Sequence, residues 1–362
     1  MSKSTSTNKS KSKKALAPAL LALTSLLPAF AADRKEPDIA AWIQAQGGTV
    51  TKDSSSRITG VNLRSSWITD ADLEMLQLLP HLRTLDLSLT HITDLGMERL
   101  KSLAGITDLN LYYAEFITDV GLAHLKGWKN LERLNLRGTK ITDTGLEHFS
   151  SLTSLRSLDV GFSQITSNGL EHLAALSRLQ ALSIGGNKIG GSALQFLKLL
   201  PGLTRLNLNG SQRTDSGLWS VAVTDFDLDG VAALGRLQEL DVGGTKITDL
   251  GLSKLKTLAE LRSLDVSRTQ VSDEGLKSLT ALPKLEKLSL WKAKRITDGA
   301  APHLVAMKRL TTLDLSETEV TDKALEQLSA MAQLRHLYVG GTRVTAAGIE
   351  SFRGKNRLCQ IR

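Results

Sequence analysis

The sequence predicts an α/β solenoid of stacked repeats, with a parallel sheet on the concave side and helices on the convex side. One short pattern recurs twelve times, in repeats numbered 1 to 12 that start at Ile58, Leu82, Ile106, Leu131, Leu155, Leu179, Leu203, Leu237, Leu261, Leu285, Leu310 and Leu334. The step is 24 residues in eight cases, 25 in two and 34 in one. Self-similarity at this period indicates a repeat array, because a single copy cannot bury its apolar face and stacked neighbours can.

Each part of the repeat has a physical role, as the copy LERLNLRGTKITDTGLEHFSSL shows. Leu134 and Leu136 flank Asn135, so the two leucines face inward from a short strand. Thr142 and Asp143 follow, and either can cap the N-terminus of a helix. The helix then carries apolar residues at i, i+3 and i+6, on one buried face: Leu146, Phe149 and Leu152.

The pattern LxxLxLxxT/N-x-I-T-D-x-G-L-x-x-L-x-x-L resembles a leucine-rich repeat, and the resemblance covers Ile58 to about Ile349. Its ITDxGL form resembles the cysteine-containing subclass of F-box-associated proteins and of many secreted bacterial repeat proteins. The resemblance implies a horseshoe whose concave face binds another protein, with no enzymatic activity. Nothing before the array resembles an F-box, so the role of a substrate-recognition module in an F-box-like adaptor has no support in these residues.

Residues 1–31 have the three parts of a secretory signal peptide. Five lysines precede an uncharged apolar stretch from Ala15 to Leu27, and Ala29-Phe30-Ala31 is an A-x-A cleavage pattern. We therefore expect a secreted or periplasmic protein whose mature chain begins at Ala32. An uncleaved anchor is the alternative, but prolines interrupt the 18 uncharged residues, and a span needs ~20 predominantly apolar ones. No later segment is apolar enough to cross a membrane.

The net charge argues against nucleic acid as a partner. The full chain carries +8, but residues 1–31 hold five lysines and no acidic residue. Without them the chain has 40 basic and 37 acidic residues, a net charge of +3. That is a mixed, solvated surface and not the basic footprint that nucleic-acid binding requires.

Both ends of the array are predicted to be covered. Residues 32–57 are expected to form an N-terminal cap, with a helix that starts at Asp38 and a strand at Thr49–Thr51. Residues 350–362 are expected to form a C-terminal cap strand. Cys359 lies in it and is the only cysteine, so no internal disulfide is possible, and we expect its thiol to be buried and inert.

The 34-residue step between repeats 7 and 8 contains a ten-residue insertion. Two registers compete. If Val223 to Leu228 is the ITDxGL element, the insertion lies at about 213–222. An insertion in a repeat array can lie on a working face, but a tolerated loop explains it as well, since lengthening a loop costs little free energy.

No pattern in the sequence indicates catalysis, a metal or a cofactor. The motifs GxGxxG, GxxxxGK[ST], HExxH and GxSxG do not occur. The stretch from Asp225 to Gly230 matches the opening of a calcium loop, but its twelfth position is Arg236 in place of glutamate. His124, His148 and His172 recur on the predicted helices without a carboxylate or cysteine to complete a metal site.

A row of aspartates on the predicted strands also resembles a carboxylate cluster. Aspartate and asparagine alternate there at one repeat position, which favours a structural role over acid–base chemistry. A glycan- or cation-binding surface is the alternative. The residues are Asp86, Asp159, Asp241, Asp265 and Asp314, with Asn62, Asn110, Asn135 and Asn207 at the same position.

Two places on the predicted concave face carry aromatic and basic side chains, the residue types that most often contribute binding energy. The first patch comprises Tyr112, Tyr113, Arg133, Arg137 and Phe162, and the second comprises Arg268, Lys287, Trp291 and Lys292. Both centre on the repeats with one extra residue, which we expect to bulge the loop and re-aim these side chains. Alternatively the aromatic rings pack on their neighbours. An extended, anionic protein is the expected partner, and a glycan or cell-wall polymer is the alternative.

Overall fold

The computed structural model describes residues 35–210 and 223–362, which form one open sheet of 14 strands ordered as in the chain. The signal peptide predicted at 1–31 and the insertion predicted at 213–222 lie outside the described residues. β1 pairs with β2 antiparallel, and every later pair is parallel. The strands are β1 Thr49–Lys52, β2 Ile58–Asn62, β3 Thr84–Asp86, β4 Asp108–Asn110, β5 Arg133–Asn135, β6 Ser157–Asp159, β7 Ala181–Ser183, β8 Arg205–Asn207, β9 Glu239–Asp241, β10 Ser263–Asp265, β11 Lys287–Ser289, β12 Thr312–Asp314, β13 His336–Tyr338 and β14 Gln360–Ile361.

Short helices lie on the other side of the chain path, and several are 3₁₀ rather than α. The α-helices are α1 Glu36–Ala45, α2 Asp94–Leu100, α3 Asp119–Ala123, α4 Asp143–Leu146, α5 Leu228–Ala232, α6 Asp249–Lys254, α7 Asp273–Leu279, α8 Ala301–Ala306, α9 Asp322–Leu328 and α10 Ala346–Lys355. The 3₁₀ segments are Asp70–Leu78, His124–Gly127, Glu147–Ser151, Ser167–Ala175, Gly191–Leu199, Asp225–Asp227, Leu255–Thr257 and Asp298–Ala300. A 24-residue repeat leaves room for two or three helical turns, so none of these segments is long.

The core is a stack of apolar layers, one from each repeat. In repeat 4, Leu134 and Leu136 point inward from the strand, and Leu146 and Phe149 point inward from the helical side. All four are at most 1% exposed. The alternation expected from the sequence is therefore confirmed, and each layer buries its apolar area against the layers before and after it.

The N-terminal helix starts two residues before the predicted position. Helix α1 begins at Glu36, with Lys35 as its N-cap, so the prediction that Asp38 starts the helix is wrong. Asp38 is instead the third helical residue, and its carboxylate accepts a hydrogen bond from the Lys35 amide at 3.1 Å. The Glu36 carboxylate accepts the Ile58 amide at 3.0 Å, which ties the cap to repeat 1.

A carboxylate clamp joins the loops of successive repeats. In the ITD element Thr142 is the helix N-cap, because its hydroxyl accepts the Thr144 amide. The aspartate before it in the array, Asp119, accepts the Thr142 amide at 2.8 Å and the Thr142 hydroxyl at 2.6 Å. Of the two cap candidates, the threonine therefore caps its own helix and the aspartate binds the next repeat.

Among residues 35–210 and 223–362, nine interfaces between repeats carry this clamp. The pairs are Asp70–Thr93, Asp94–Thr118, Asp119–Thr142, Asp143–Thr166, Asp225–Thr248, Asp249–Ser272, Asp273–Thr297, Asp298–Thr321 and Asp322–Thr345. The hydroxyl and amide of Thr345 lower the pKa of Asp322 in the last of them. A hydrogen bond to a carboxylate is stronger than one between neutral groups, so the clamp stabilises the stack at each loop.

The clamp explains the glycine of the ITDxGL pattern. A Cβ added to Gly145 would lie 2.4 Å from the Asp119 Oδ1 atom, and one added to Gly169 would lie 2.4 Å from the Asp143 Oδ1 atom. These distances are too short for a carbon atom, so a side chain at either position would displace the carboxylate. Glycine stands beside the carboxylate in seven of the nine clamps, and alanine, at Ala300 and Ala324, in the other two. The clamp therefore selects a small residue here, and not a left-handed backbone.

The clamp is interrupted in the middle of the array. Ser167 stands where aspartate is expected, and its hydroxyl makes longer bonds to Gly190, at 3.2 Å from the amide and 3.0 Å to the carbonyl. At the next described ITD element, Thr224 is capped by Asp227 of its own repeat. The clamps thus form two runs, an N-terminal run from Asp70 to Thr166 and a C-terminal run from Asp225 to Thr345.

Substituting Gly145 by alanine should destabilise the protein by about 1–3 kcal/mol, because the new Cβ overpacks the clamp. Gly127→Ala is the matched control, since an added Cβ there meets no heavy atom within 4 Å, and its effect should stay within about 0.5 kcal/mol. Urea unfolding midpoints measure both. Equal losses of stability in the two variants would show that the clamp does not limit the size of the residue at position 145.

Candidate functional site

Four residues of each repeat form rows across the concave side of the sheet. In repeat 4, Arg133 and Asn135 face the concave side because the strand residue between them faces the core. Arg137 follows one residue after the last core leucine, and Gly138 comes next in a left-handed conformation with φ of 75°. We name the rows that contain Arg133, Asn135, Arg137 and Gly138 the strand-start row, the strand-end row, the post-strand row and the left-handed row.

The strand-end row has a structural role. Asn135 Oδ1 accepts the Arg137 amide at 3.0 Å, and Asp159 Oδ1 accepts the Gly161 amide at 2.8 Å, so each side chain closes the turn after its own strand. Either an aspartate or an asparagine oxygen can do this, which explains why the two alternate. Burial raises the pKa of Asp241, one of these carboxyls.

The left-handed row holds four of the predicted site residues. Tyr113, Phe162, Arg268 and Lys292 have φ of 52°, 53°, 53° and 58°. Holding a residue with a side chain there costs roughly 1–2 kcal/mol. Hydrogen bonds to the next repeat offset the cost, since the Tyr113 amide donates to the Arg137 carbonyl at 2.7 Å. The stacked backbone therefore fixes the direction of these side chains.

The first patch is divided into two groups, and the tyrosines form one of them. The rings of Tyr112 and Tyr113 meet edge to face, with centroids 4.7 Å apart. The Arg64 guanidinium lies 5.8 Å from the Tyr112 ring, a contact that the sequence did not suggest. The Tyr113 ring covers Gly138, where an added Cβ would lie 2.8 Å from it.

Arg137 and Phe162 form the second group. The Arg137 guanidinium lies 4.4 Å from the centroid of the Phe162 ring and 3.6 Å from the Asp159 carboxylate. The Phe162 ring covers Gly186, as Tyr113 covers Gly138. Arg133 lies apart from both groups, on the strand-start row, where it forms an ion pair with Asp108.

The second patch is built around Trp291. The Lys292 ammonium lies 4.5 Å from the centroid of its ring and the Arg268 guanidinium 5.4 Å from it. Glu317, which the sequence did not suggest, accepts the Trp291 indole N–H at 3.1 Å and pairs with the Lys292 ammonium at 3.3 Å. Lys287 is exposed at the start of β11 and forms no ion pair with a described residue.

The extra residue of repeats 3 and 10 does not re-aim the patch residues, so that prediction is wrong. Tyr113 has the same left-handed φ as Phe162, which belongs to a repeat of normal length. Ala114 is fully buried, and its amide donates to the Leu111 carbonyl as Thr139 does at the same position. The additional residue lies after this point and shifts the loop that carries Phe116.

The sequence matches the family described as Leucine Rich repeat over residues 79–101, 129–150, 151–174, 237–256 and 260–279. Among solved structures, the internalin inlF of Listeria monocytogenes is 22% identical, with a TM-score of 0.60 over 89% of this chain and 92% of that one. No curated protein matches the sequence. The fold is a leucine-rich repeat horseshoe.

Two further leucine-rich repeat structures share the fold at lower identity. A chain of the mouse RP105/MD-1 complex is 17% identical, with a TM-score of 0.55, and is matched over 84% of this chain and 50% of that one. A chain of the plant peptide hormone receptor RGFR1 in complex with RGF2 is 16% identical, with a TM-score of 0.50, and is matched over 86% of this chain and 51% of that one. This chain spans about half of each.

A polar groove of about 520 Å³ runs along the concave side of the first leucine-rich repeats, from β1 to β6. The strand-end row forms its floor, with Asn62, Asp86 and Asn110 side by side. The Asn110 side-chain amide donates to the Asp86 carboxylate at 3.0 Å. The groove lies next to the tyrosine group and presents amide and carboxylate oxygens to solvent.

The remaining candidates for chemistry are engaged elsewhere in the fold. Asp225 clamps Thr248, and Asp229 pairs with Lys254, so these calcium-loop aspartates have protein partners. Within residues 35–210 and 223–362, no three side chains are placed to hold a metal ion. Burial raises the pKa of the Cys359 thiol to about 11.

Burial and the nearby Lys126 ammonium lower the pKa of His148, the middle histidine of the predicted row.

No helix in the described part of the chain is long and apolar enough to span a membrane.

Proposed function

We propose that this leucine-rich repeat chain is an exported, non-enzymatic scaffold that binds a protein partner along the edge of its concave face. The observation that carries the proposal is the left-handed row, which holds Tyr113, Phe162, Arg268 and Lys292 in fixed directions. Aromatic and arginine side chains are the commonest hot spots of protein interfaces. Side chains that are already ordered lose little entropy on binding, so their contacts contribute fully to affinity.

The two patches suit an extended partner. Neighbouring strands lie about 4.8 Å apart, so the seven steps from β4 to β11 span about 34 Å. A chain at about 3.3 Å per residue covers this distance with roughly ten residues. Glycines such as Gly185 and Gly243 leave the surface between the patches without bulky side chains, so the backbone of a partner can approach the sheet closely there.

The charges of the patches refine the expectation of an anionic partner. Arg133, Arg137 and Lys292 each have a carboxylate neighbour, whereas Lys287 has none among the described residues. A partner carboxylate would therefore pair with Lys287, while the parts of the Tyr112, Phe162 and Trp291 rings that stay exposed would supply most of the contact area. We expect affinity to depend more on the rings than on net charge.

Two of the similar structures are complexes of the kind proposed. RP105 was solved with MD-1 and RGFR1 with RGF2. This is an analogy at the level of the fold, and it supports a protein as the class of partner without indicating which protein. A glycan is the second candidate, because the floor of the concave groove carries amide and carboxylate side chains such as Asn62 and Asp86.

Variants of the two patches test the binding site. A partner captured from the native exoproteome should bind the double variant Tyr113→Ala, Arg137→Ala and the single variant Trp291→Ala more weakly, each by ~1–3 kcal/mol. Phe226→Ala is the matched control, since this ring is 75% exposed and lies outside both patches. Titration calorimetry gives the affinities. Wild-type affinity in both patch variants, or binding to a glycan array alone, would contradict the proposal.

Export is tested separately at the N-terminus. Residues 1–31 carry the signal-peptide pattern, so N-terminal sequencing of the protein from its native host should begin at Ala32 or within a residue or two of it. The protein should also be found outside the cytoplasm. An intact Met1 on protein recovered from the cytoplasm would contradict export and would leave the binding proposal unaffected.

A further inference from the structure

An aromatic ladder lies on the outer edge of repeats 1 to 3, away from the concave face. Trp67, His91 and Phe116 come between the strand and the helix of their repeats. The rings of Trp67 and His91 stack with centroids 5.4 Å apart and an interplanar angle of 6°. His91 and Phe116 follow at 5.9 Å, and the Lys140 ammonium of repeat 4 lies 5.3 Å from the Phe116 ring. We name these four residues the edge ladder.

The array itself shows that these rings are exceptional. Each described repeat has a residue at this position, directly before the isoleucine or valine of the ITD element. In repeats 4 to 6 and 8 to 12 that residue is polar or charged, and in repeat 7 it is Ala222: Lys140, Gln164, Lys188, Lys246, Gln270, Arg295, Glu319 and Arg343 are the polar ones. The position therefore faces solvent, and no packing requirement of the fold explains an aromatic ring there.

The ladder lies within a wider apolar surface. Trp67 is 85% exposed and Phe116 is 46% exposed. Leu95 and Val120, at the start of the helices in repeats 2 and 3, are 50% and 63% exposed. These four are among the nine large hydrophobic side chains that are exposed in the described residues. Exposed apolar groups concentrated in this way mark interaction surfaces more often than chance placement does.

The polar groups of the ladder indicate the chemistry of its partner. The Trp67 indole donates only, and the Lys140 ammonium has no carboxylate within 4 Å among the described residues. Ring edges also carry partial positive charge. The aspartates of the same loops, Asp70 and Asp94, are occupied by the clamps. Glu115, next to Phe116 in the chain, is also exposed but forms no ion pair with Lys140. The surface thus combines apolar rings with the Trp67 donor, the Lys140 cation and this one carboxylate.

We propose that the edge ladder is a second docking surface, for a protein segment that presents apolar side chains beside aspartate or glutamate. The apolar side chains would lie on the exposed rings of Trp67 and Phe116, and the carboxylate would pair with Lys140. This site faces a different side from the two concave patches, so it goes beyond the function proposed above.

Synthetic peptide arrays test this site with defined probes. One set alternates glutamate with leucine or phenylalanine, a second replaces the glutamates by lysine, and a third replaces the apolar residues by serine. The wild type should bind the first set best. Trp67→Ala should weaken this binding about tenfold, the size of a hot-spot loss. Gln270→Ala, at the same position in repeat 9, should bind as the wild type does.

Two further variants separate the possible explanations. Lys140→Glu should shift the preference from the glutamate peptides to the lysine peptides. The double variant Tyr113→Ala, Arg137→Ala should leave peptide binding unchanged, so the outcome is independent of the concave patches. The proposal is overturned if the three peptide sets bind equally, if Gln270→Ala loses as much as Trp67→Ala, or if the binding that depends on Trp67 is to a glycan array. Circular dichroism checks that the variants keep the wild-type fold.

Discussion

A carboxylate on one repeat that binds the hydroxyl and amide of the next repeat is the interaction on which the arrangement of the loops depends. Asp119 and Thr142 show the geometry, and eight other pairs repeat it. The clamp fixes the distance between neighbouring loops, leaves room only for a small residue such as Gly145 or Ala324 beside the carboxylate, and binds the threonine or serine at the N-cap of the next helix. Apolar layers supply most of the stability, but their side chains are similar from repeat to repeat. The clamp, in contrast, determines which atoms of neighbouring loops form hydrogen bonds.

The candidate functional surfaces follow from this regular stacking. Because successive loops are held in one register, the side chains of the left-handed row point the same way in every repeat, and a ring in one repeat can cover a glycine in the next. The first patch and the edge ladder lie in the N-terminal run of clamps, and the second patch lies in the C-terminal run. Of the surface without bulky side chains, the part around Gly185 coincides with the interruption of the clamp, and the part around Gly243 lies at the start of the C-terminal run. Sheet pairing from β6 to β9 continues across the interruption in register.

The repeat pattern predicted the fold because the alternation of Leu134, Asn135 and Leu136 has one structural solution when it recurs twelve times. The clamp could not be predicted, since Thr142 and Asp143 are both good caps and only the neighbouring repeat decides between them. The patches were predicted in part. Arg64 and Glu317 were missed because their contacts cross one or two repeats.

The edge ladder had a signal in the sequence, which appears when the residue before each ITD element is compared along the array. Trp67 then stands out against Gln270 and its counterparts, at a position that is otherwise mostly polar. The left-handed row had a similar signal in Gly138 and Gly186, since glycine recurs where the backbone needs a positive φ. Lys287 was grouped with Trp291 by sequence distance, and the strand geometry places it on another row.

Native-state hydrogen exchange tests the central claim most directly, because the clamp binds a backbone amide. The amides of Thr142 and Thr297, which donate to Asp119 and Asp273, should exchange slowly. The amide of Gly190, which at the interruption donates to the Ser167 hydroxyl at 3.2 Å and not to a carboxylate, should exchange faster than the clamped amides of either run, so that two protected blocks appear. Uniform protection along the array, or a minimum inside the run from Asp70 to Thr166, would show that the clamp does not organise the stack.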